Sequence, residues 1–203
     1  MKKNKISKNW LKRQHKDQFV RKSKIFGYRS RSAFKLIEMD KKFKFLNARK
    51  TLIDLGSSPG GWSQVVAERI SKGKVLAIDI KDMEKINNVE FLKGDFLKID
   101  TREKIYNYFN KKVDIVISDM AADTSGNKDL DSFRTGELCL EAMKLAQKIL
   151  NNEGVFISKL FMGSTFTEID KKANEIFKKV VKYKPLSSRK ESKEIYIYCR
   201  GIS

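Results

Sequence analysis

The chain has 203 residues, with 44 Lys+Arg against 25 Asp+Glu, so it carries a net charge of +19. That length supports one domain, or one domain with an arm, and a substantial core. Charge of this size calls for a polyanionic partner. No apolar run approaches the roughly 18 residues of a membrane span, which excludes an integral membrane protein. The start, MKKNKISKNWLKRQHKDQF, has basic residues and no apolar h-region, unlike a signal peptide. Cys139, Cys199 and the single histidine, His15, cannot assemble a zinc site of the usual kind, and no metal is expected. The cysteines read as buried reduced thiols of a cytoplasmic protein.

Residues 1–50 hold 18 Lys+Arg and three acids (Asp17, Glu38 and Asp40), which is +15 of the +19. Trp10, Phe19, Phe26, Tyr28, Phe34, Phe43 and Phe45 are interleaved among them. Basic residues meet phosphates and rings stack on unpaired bases, so a nucleic-acid partner is expected, with residues 1–28 as the RNA-binding arm. The alternative is a solvated basic arm whose rings pack on the domain. Ser30 to Met39 reads as a helix capped by Ser30 or Ser32. Ala33, Leu36 and Ile37 would face the core and leave Lys35 elsewhere on the helix surface.

Thr51 to Trp62, TLIDLGSSPGGW, is the stretch on which the chain turns. Leu52 to Leu55 suits a strand buried on both faces of a parallel sheet. Gly56, Gly60 and Gly61 then allow a sharp turn close to a ligand, and helical spacing begins at Trp62. Trp62 stands where a P-loop would need lysine, and the G-x-x-x-G-G spacing is not the dinucleotide fingerprint. A purely structural strand-to-helix turn is the alternative.

Lys74 to Asp79 is the second strand, and its terminal acid, about 20 residues past the glycine loop, suits a ribose diol. Val89 to Asp95 is the third strand, Thr101 to Phe109 a helix, and Val113 to Asp119 the fourth strand. Met120 to Asp131 reads as a mobile loop and Ser132 to Leu150 as a helix with Gly154 just past its end. Val155 to Leu160 is the fifth strand, with Lys159 near its carboxyl end. A helix over Thr165 to Phe177 and strands at Val180 to Lys184 and Glu194 to Cys199 complete the pattern. The alternation predicts a mostly parallel sheet with helices on both faces and a possible antiparallel final strand. Gly56 to Trp62, Asp79, Asp95, Asp119 and Lys159 then converge on one crevice at the strand ends.

Asp54 to Trp62 (DLGSSPGGW), Ser118-Asp119-Met-Ala, Ser158-Lys159-Leu and Lys193-Glu194-Ile-Tyr196 resemble the FtsJ/RrmJ family of S-adenosylmethionine-dependent ribosomal-RNA 2′-O-methyltransferases. Arg29 to Leu36 is similar to the family's first helix, and the likeness runs from about Arg13 to the C-terminus. It implies a Rossmann-like methyltransferase domain over residues 29–203 with a seven-stranded sheet. It also implies a catalytic set of Lys35, Asp119, Lys159 and Glu194, with cofactor contacts at Gly60, Trp62, Asp79, Asp95 and Asp119. Ser57-Ser58 is a mild departure from the small residues expected in the loop. The implied reaction is methylation of a ribose, a uridine's, in 23S-type rRNA, on the assembled large subunit and by a monomer.

In that reaction Lys159 would be the general base, with Asp119 orienting it and Lys35 and Glu194 positioning the ribose. A lysine, ordinarily near 10.4, serves as a base only if its pKa falls. The neighbouring Lys35 would lower it, while Asp119 and Glu194 would oppose that effect. Two other readings stand beside this one: a tRNA 2′-O-methyltransferase, and a non-catalytic RNA-binding module on the same scaffold.

Overall fold

A computed structural model of the protein describes residues 17–123 and 125–203. Trp10, His15 and most of the basic arm therefore lie outside the described residues. Seven strands form one sheet: β1 (Thr51–Leu55), β2 (Lys74–Asp79), β3 (Glu90–Lys93), β4 (Val113–Ser118), β5 (Leu150–Phe161), β6 (Phe177–Tyr183) and β7 (Glu194–Ile202). Their order is β3-β2-β1-β4-β5-β7-β6. The first five strands run parallel, and β7 enters antiparallel between β5 and β6. All five residues of β1 are buried, as a central strand covered on both faces must be.

Helices α1 (Gln18–Ile25), α2 (Ala33–Phe43) and α3 (Gly61–Arg69) precede β2. Helices α4 (Ile99–Phe109), α5 (Lys128–Ile149) and α6 (Phe166–Ile176) follow β3. One core cluster joins α4, α5 and α6 to Ile53, Leu55, Leu76, Ile78, Val116 and Phe156. The other joins α2 and α3 to Leu52, Val75, Ile115, Ile117, Ile157 and Tyr196. Successive strand side chains alternate between faces. Asp54, Asp79, Asp119, Lys159, Glu194 and Tyr196 therefore share the parity of the α2/α3 face.

Several expectations need correcting. Ser32 stands at the N-cap of α2 in helical backbone and makes no capping bond; its hydroxyl lies 2.6 Å from that of Ser30 instead. Lys35 is buried, at 6% exposure, while Ile37 is half-buried. The apolar stripe of α2 runs through Ala33, Leu36 and Met39, and Lys35 lies one turn from Met39 on its flank. Helix α5 starts at Lys128 because the Asn127 side chain accepts from Asp129 N and Leu130 N, so it takes the last four residues of the expected loop. Gly154 does not end that helix: Leu150 already begins β5, and Gly154 lies within the strand, where the β4 pairing shifts register. Phe177 opens β6 rather than closing α6, and β7 runs on to Ile202.

The aromatic residues of the basic quarter are largely used in packing. Phe34 gathers Phe19, Phe26 and Tyr28 at centroid distances of 5.5, 6.2 and 5.7 Å, and Phe43 stacks on Tyr198 at 4.0 Å. Phe26 keeps 67% of its surface exposed. Cys139 and Cys199 are both buried free thiols, and burial pushes the Cys139 thiol up to about 12. Among the described residues no helix is long and apolar enough to cross a membrane.

Candidate active site

The strand ends beside the glycine loop enclose a cavity of about 380 Å³, within the range of small-molecule sites. Ile78, Ile80, Phe96 and Leu97 give it apolar walls, and Asp79, Asp95 and Asp119 give it carboxylates. Asp79, at the end of β2, accepts from Ser58 N and Lys81 N, both at 2.8 Å. These bonds fix its carboxylate and leave it lone pairs for further donors. Asp95 caps the turn after β3 by accepting from Leu97 N at 3.0 Å.

Two of the expected contact residues are not in the lining of this cavity. Gly60, at φ 109°, is needed because a Cβ there would press on Arg29, Ile86 and Met83. It lines neither this cavity nor the smaller one beside it. Trp62 is buried, donates from Nε1 to Ser32 O at 2.9 Å and lines only the smaller cavity.

At the rim, five side chains form one chain of contacts. Glu194 Oε1 meets Lys35 Nζ at 2.6 Å, and Lys35 donates to the Tyr196 hydroxyl at 3.2 Å. That hydroxyl donates to Asp119 Oδ1 at 2.6 Å, to which Lys159 also donates at 3.0 Å. Lys159 makes a further bond to the Asp119 carbonyl oxygen. The structure therefore brings Lys35, Asp119, Lys159 and Glu194 together. Lys159 and Tyr196 are register partners across β5 and β7, while Asp119 directly follows β4 and Lys35 comes down from α2.

Burial alone would raise the Asp119 carboxyl, but Lys159, Lys35 and the Tyr196 hydroxyl outweigh it and hold Asp119 below the usual carboxylate range. Burial, followed by the charges of Asp119 and Glu194, pushes Tyr196 well above the ordinary phenol range. Tyr196 thus remains a neutral donor between two ions. Ser188 Oγ donates to Glu194 at 2.9 Å and steadies its carboxylate.

Sequence reasoning missed Tyr196 as the hub, although Glu194 and Tyr196, two apart on a strand, must share a face. It also gave no role to Asp54, an acid inside a fully buried strand. Among the described residues, the groups at the site are two lysines, carboxylates and a phenol, with no nucleophilic thiol or histidine. Such a set can bind, orient and deprotonate a hydroxyl beside a bound electrophile.

This strand order, with its single antiparallel insertion and a cavity over the ends of β1, β2 and β4, is the arrangement expected of a Rossmann-like class I methyltransferase. Residues 28–202 match the family described as FtsJ-like methyltransferase, and the chain belongs to that family. A ribosomal RNA large subunit methyltransferase E of Pelagibacter ubique is 50% identical over 200 residues, covering 98% of each chain. One from Rickettsia bellii is 44% identical over 197 residues, covering 94% of this chain and 87% of the other. Among solved structures, a ribosomal RNA methyltransferase from Plasmodium falciparum superposes with a TM-score of 0.78 at 35% identity, covering 86% of this chain and 98% of that one.

Proposed function

We propose that the protein methylates a ribose 2′-hydroxyl in large-subunit ribosomal RNA, with S-adenosylmethionine as methyl donor. Support for the RNA comes from the relatives matched over 98% and 87% of their own length, which carry large-subunit ribosomal RNA in their names. The donor fits the residues present: apolar walls for an adenine, Asp79 preset for a diol, Asp95 beside the adenine, and an orphaned buried hydroxyl at Ser57. Asp119 and Trp62 would hold its remaining part, whereas Gly60 would act by shaping the loop. When bound, this donor supplies an electrophilic methyl group on a sulfonium centre.

The observation that carries the reading is the Lys159 head group. A neutral amine has two N–H donors and one lone pair. Asp119 supplies two acceptors for those donors, its carboxylate and its carbonyl oxygen, and the lone pair is left for the hydroxyl proton. Lys159 is thus the general base, and Asp119 fixes its direction. Lys35, held by Glu194, positions the ribose and adds a second cation beside the base.

The arm contributes charge rather than stacking, since the described rings are mostly engaged. Residues 1–28 form the RNA-binding arm and residues 29–203 the methyltransferase domain, acting as a cytoplasmic monomer. Asp17 qualifies that boundary, because it caps α1 and pairs with Arg31 and Arg189. The cleaner deletion is residues 1–16, which hold seven Lys+Arg. It should lower the slope of log affinity against log salt by up to about 5 and leave cofactor affinity unchanged. An unchanged slope would take the arm off the RNA.

The deciding experiment transfers labelled methyl to undermethylated large subunits, free 23S-type rRNA and tRNA, with mapping of the product. The expected result is one labelled 2′-O-methyl uridine in rRNA, strongest on the assembled subunit. Label confined to tRNA, or no transfer, overturns the reading.

A further inference from the structure

Glu38 follows Lys35 by one turn of α2, and its carboxylate meets the end of β6 and the segment 184–193 that leads into β7. Oε1 accepts from the Tyr183 hydroxyl at 2.7 Å and from Leu186 N at 2.6 Å. Oε2 accepts from Ser187 N at 3.1 Å and from Ser187 Oγ at 3.0 Å. Burial works against the charge, but these bonds outweigh it and hold Glu38 below the usual carboxylate range. Four donors fill the lone-pair sites of a carboxylate, so Glu38 is fully engaged with its own chain.

What Glu38 grips leads straight to the site. Ser187 and Ser188 are both buried, and the Ser187 carbonyl oxygen accepts from Arg31 Nη2. Ser188 Oγ donates at 2.9 Å to Glu194 Oε1, the same oxygen that meets Lys35 Nζ at 2.6 Å. The contacts form a ring: Glu38, Ser187, Ser188, Glu194, Lys35, and back along α2 to Glu38. Other bonds hold the segment without Glu38. Arg189 pairs with Asp17 at 3.2 Å, and Lys184 Nζ donates to the carbonyl oxygens of Lys190 and Ser192. Losing the Glu38 carboxylate therefore frees Ser187 and Ser188 and leaves the rest of the segment tied.

We propose, on the assignment of Lys35 and Glu194 to the reaction, that Glu38 is a positioning residue for methyl transfer. Through Ser187 and Ser188 it sets the Glu194 carboxylate, and through that carboxylate the Lys35 head group. A carboxylate that drifts takes its paired lysine with it, and a displacement of about 1 Å can cost roughly 10²-fold in rate. Glu38, Ser187 and Ser188 line neither cavity beside the glycine loop, so the effect falls on the transfer step and not on cofactor binding.

Single-turnover methyl transfer to undermethylated large subunits tests this, with calorimetry of S-adenosylhomocysteine reading the cofactor site. Glu38→Ala should lower the transfer rate per folded molecule about 10–100-fold and leave the calorimetric affinity unchanged. Ser188→Ala deletes one hydroxyl and spares the Glu38 bonds. It should slow transfer in the same way and to a smaller extent, and it decides the matter if Glu38→Ala does not fold. In a Glu194→Ala background neither change should cost further rate, because a residue that acts through Glu194 has nothing left to act on. A wild-type rate per folded molecule in Glu38→Ala or Ser188→Ala overturns the inference and leaves the site assignment standing. So does a loss of the same size with and without Glu194, which marks a merely structural anchor. A Glu194→Ala variant as fast as wild type, or a wild-type protein that transfers nothing, overturns the site assignment, and this inference with it.

Discussion

Strand β4 carries an aspartate near each end, and the two surroundings make an instructive pair. Asp114, near its start, takes Lys50 Nζ at 3.0 Å, Thr51 N at 2.8 Å, Thr51 Oγ1 at 2.9 Å and Asn151 Nδ2 at 3.0 Å. Asp119, just past its end, takes Lys159 Nζ at 3.0 Å and Tyr196 OH at 2.6 Å. Burial works against both carboxylates, and hydrogen bonds with a lysine hold both below the usual range. By depressed acidity alone they look alike. What separates them is what lies on the other side. The partners of Asp114 come from the adjoining strand starts, whereas Asp119 borders two cavities. A perturbed carboxylate marks a working site when it faces space that a reactant can fill.

Substitution at the two ends should separate chemistry from stability. The largest effect belongs to Lys159→Ala, expected to cut methyl transfer about 10²–10⁴-fold with folding intact. Lys159→Arg should fail almost as badly, because guanidinium cannot lose its proton at usable pH. Retained activity in the arginine variant would make Lys159 an electrostatic residue instead. Next comes Asp79→Ala, which removes the carboxylate proposed to hold the ribose diol. Cofactor affinity measured by calorimetry should drop roughly 10–150-fold, the equivalent of one charged hydrogen bond.

At the opposite end, Asp114→Ala should leave methyl transfer per folded molecule unchanged and cost about 1.5–3 kcal/mol in denaturant unfolding. A loss of activity without a loss of stability would erase the distinction between the two ends. The sign of its pH dependence follows from its acidity. The folded carboxyl lies below its unfolded value, so the stability it gives is present above about pH 4 and lost as pH falls through the folded value. The gap between wild type and Asp114→Ala should therefore narrow as pH falls below about 4. Lys50→Ala is the smallest change, within about 1 kcal/mol, because Lys50 is 37% exposed and its pair is screened.

The strand pattern made much of this legible. Short apolar runs ending in Asp79, Asp119 and Lys159 marked both the sheet and its working edge, because parallel strands buried on two faces leave polar groups only at their ends. The shared face was also in the sequence, in the odd-even parity of the strand residues, but only after register is known does parity become position. Lys35 was misread because an apolar stripe three residues wide says nothing about a lysine at its flank that finds Glu194 across 159 residues of chain. Gly154 was misread because helix-stop chemistry and strand irregularity use the same residue. The rings of the first fifty residues matched a stacking pattern, and packing against Phe34 and Tyr198 claimed most of them. Asp54 stood in plain view inside an apolar run, and the small cavity that it borders is one that no spacing reveals.

The late position of β7 has a consequence for the protein during its own synthesis. It is the last of the seven strands in sequence, yet it lies between β5 and β6, and it brings Tyr196 to Lys35 across 161 residues. A nascent chain stopped short of residue 194 has its first five strands and every residue that lines the larger cavity, but Lys35 and Asp119 lack their bridge. It also leaves β5 and β6 without the strand between them, two edges open to other chains. Addition of the last strand thus converts a sticky fragment into a complete site, and a released chain truncated at residue 193 should bind cofactor yet transfer no methyl group.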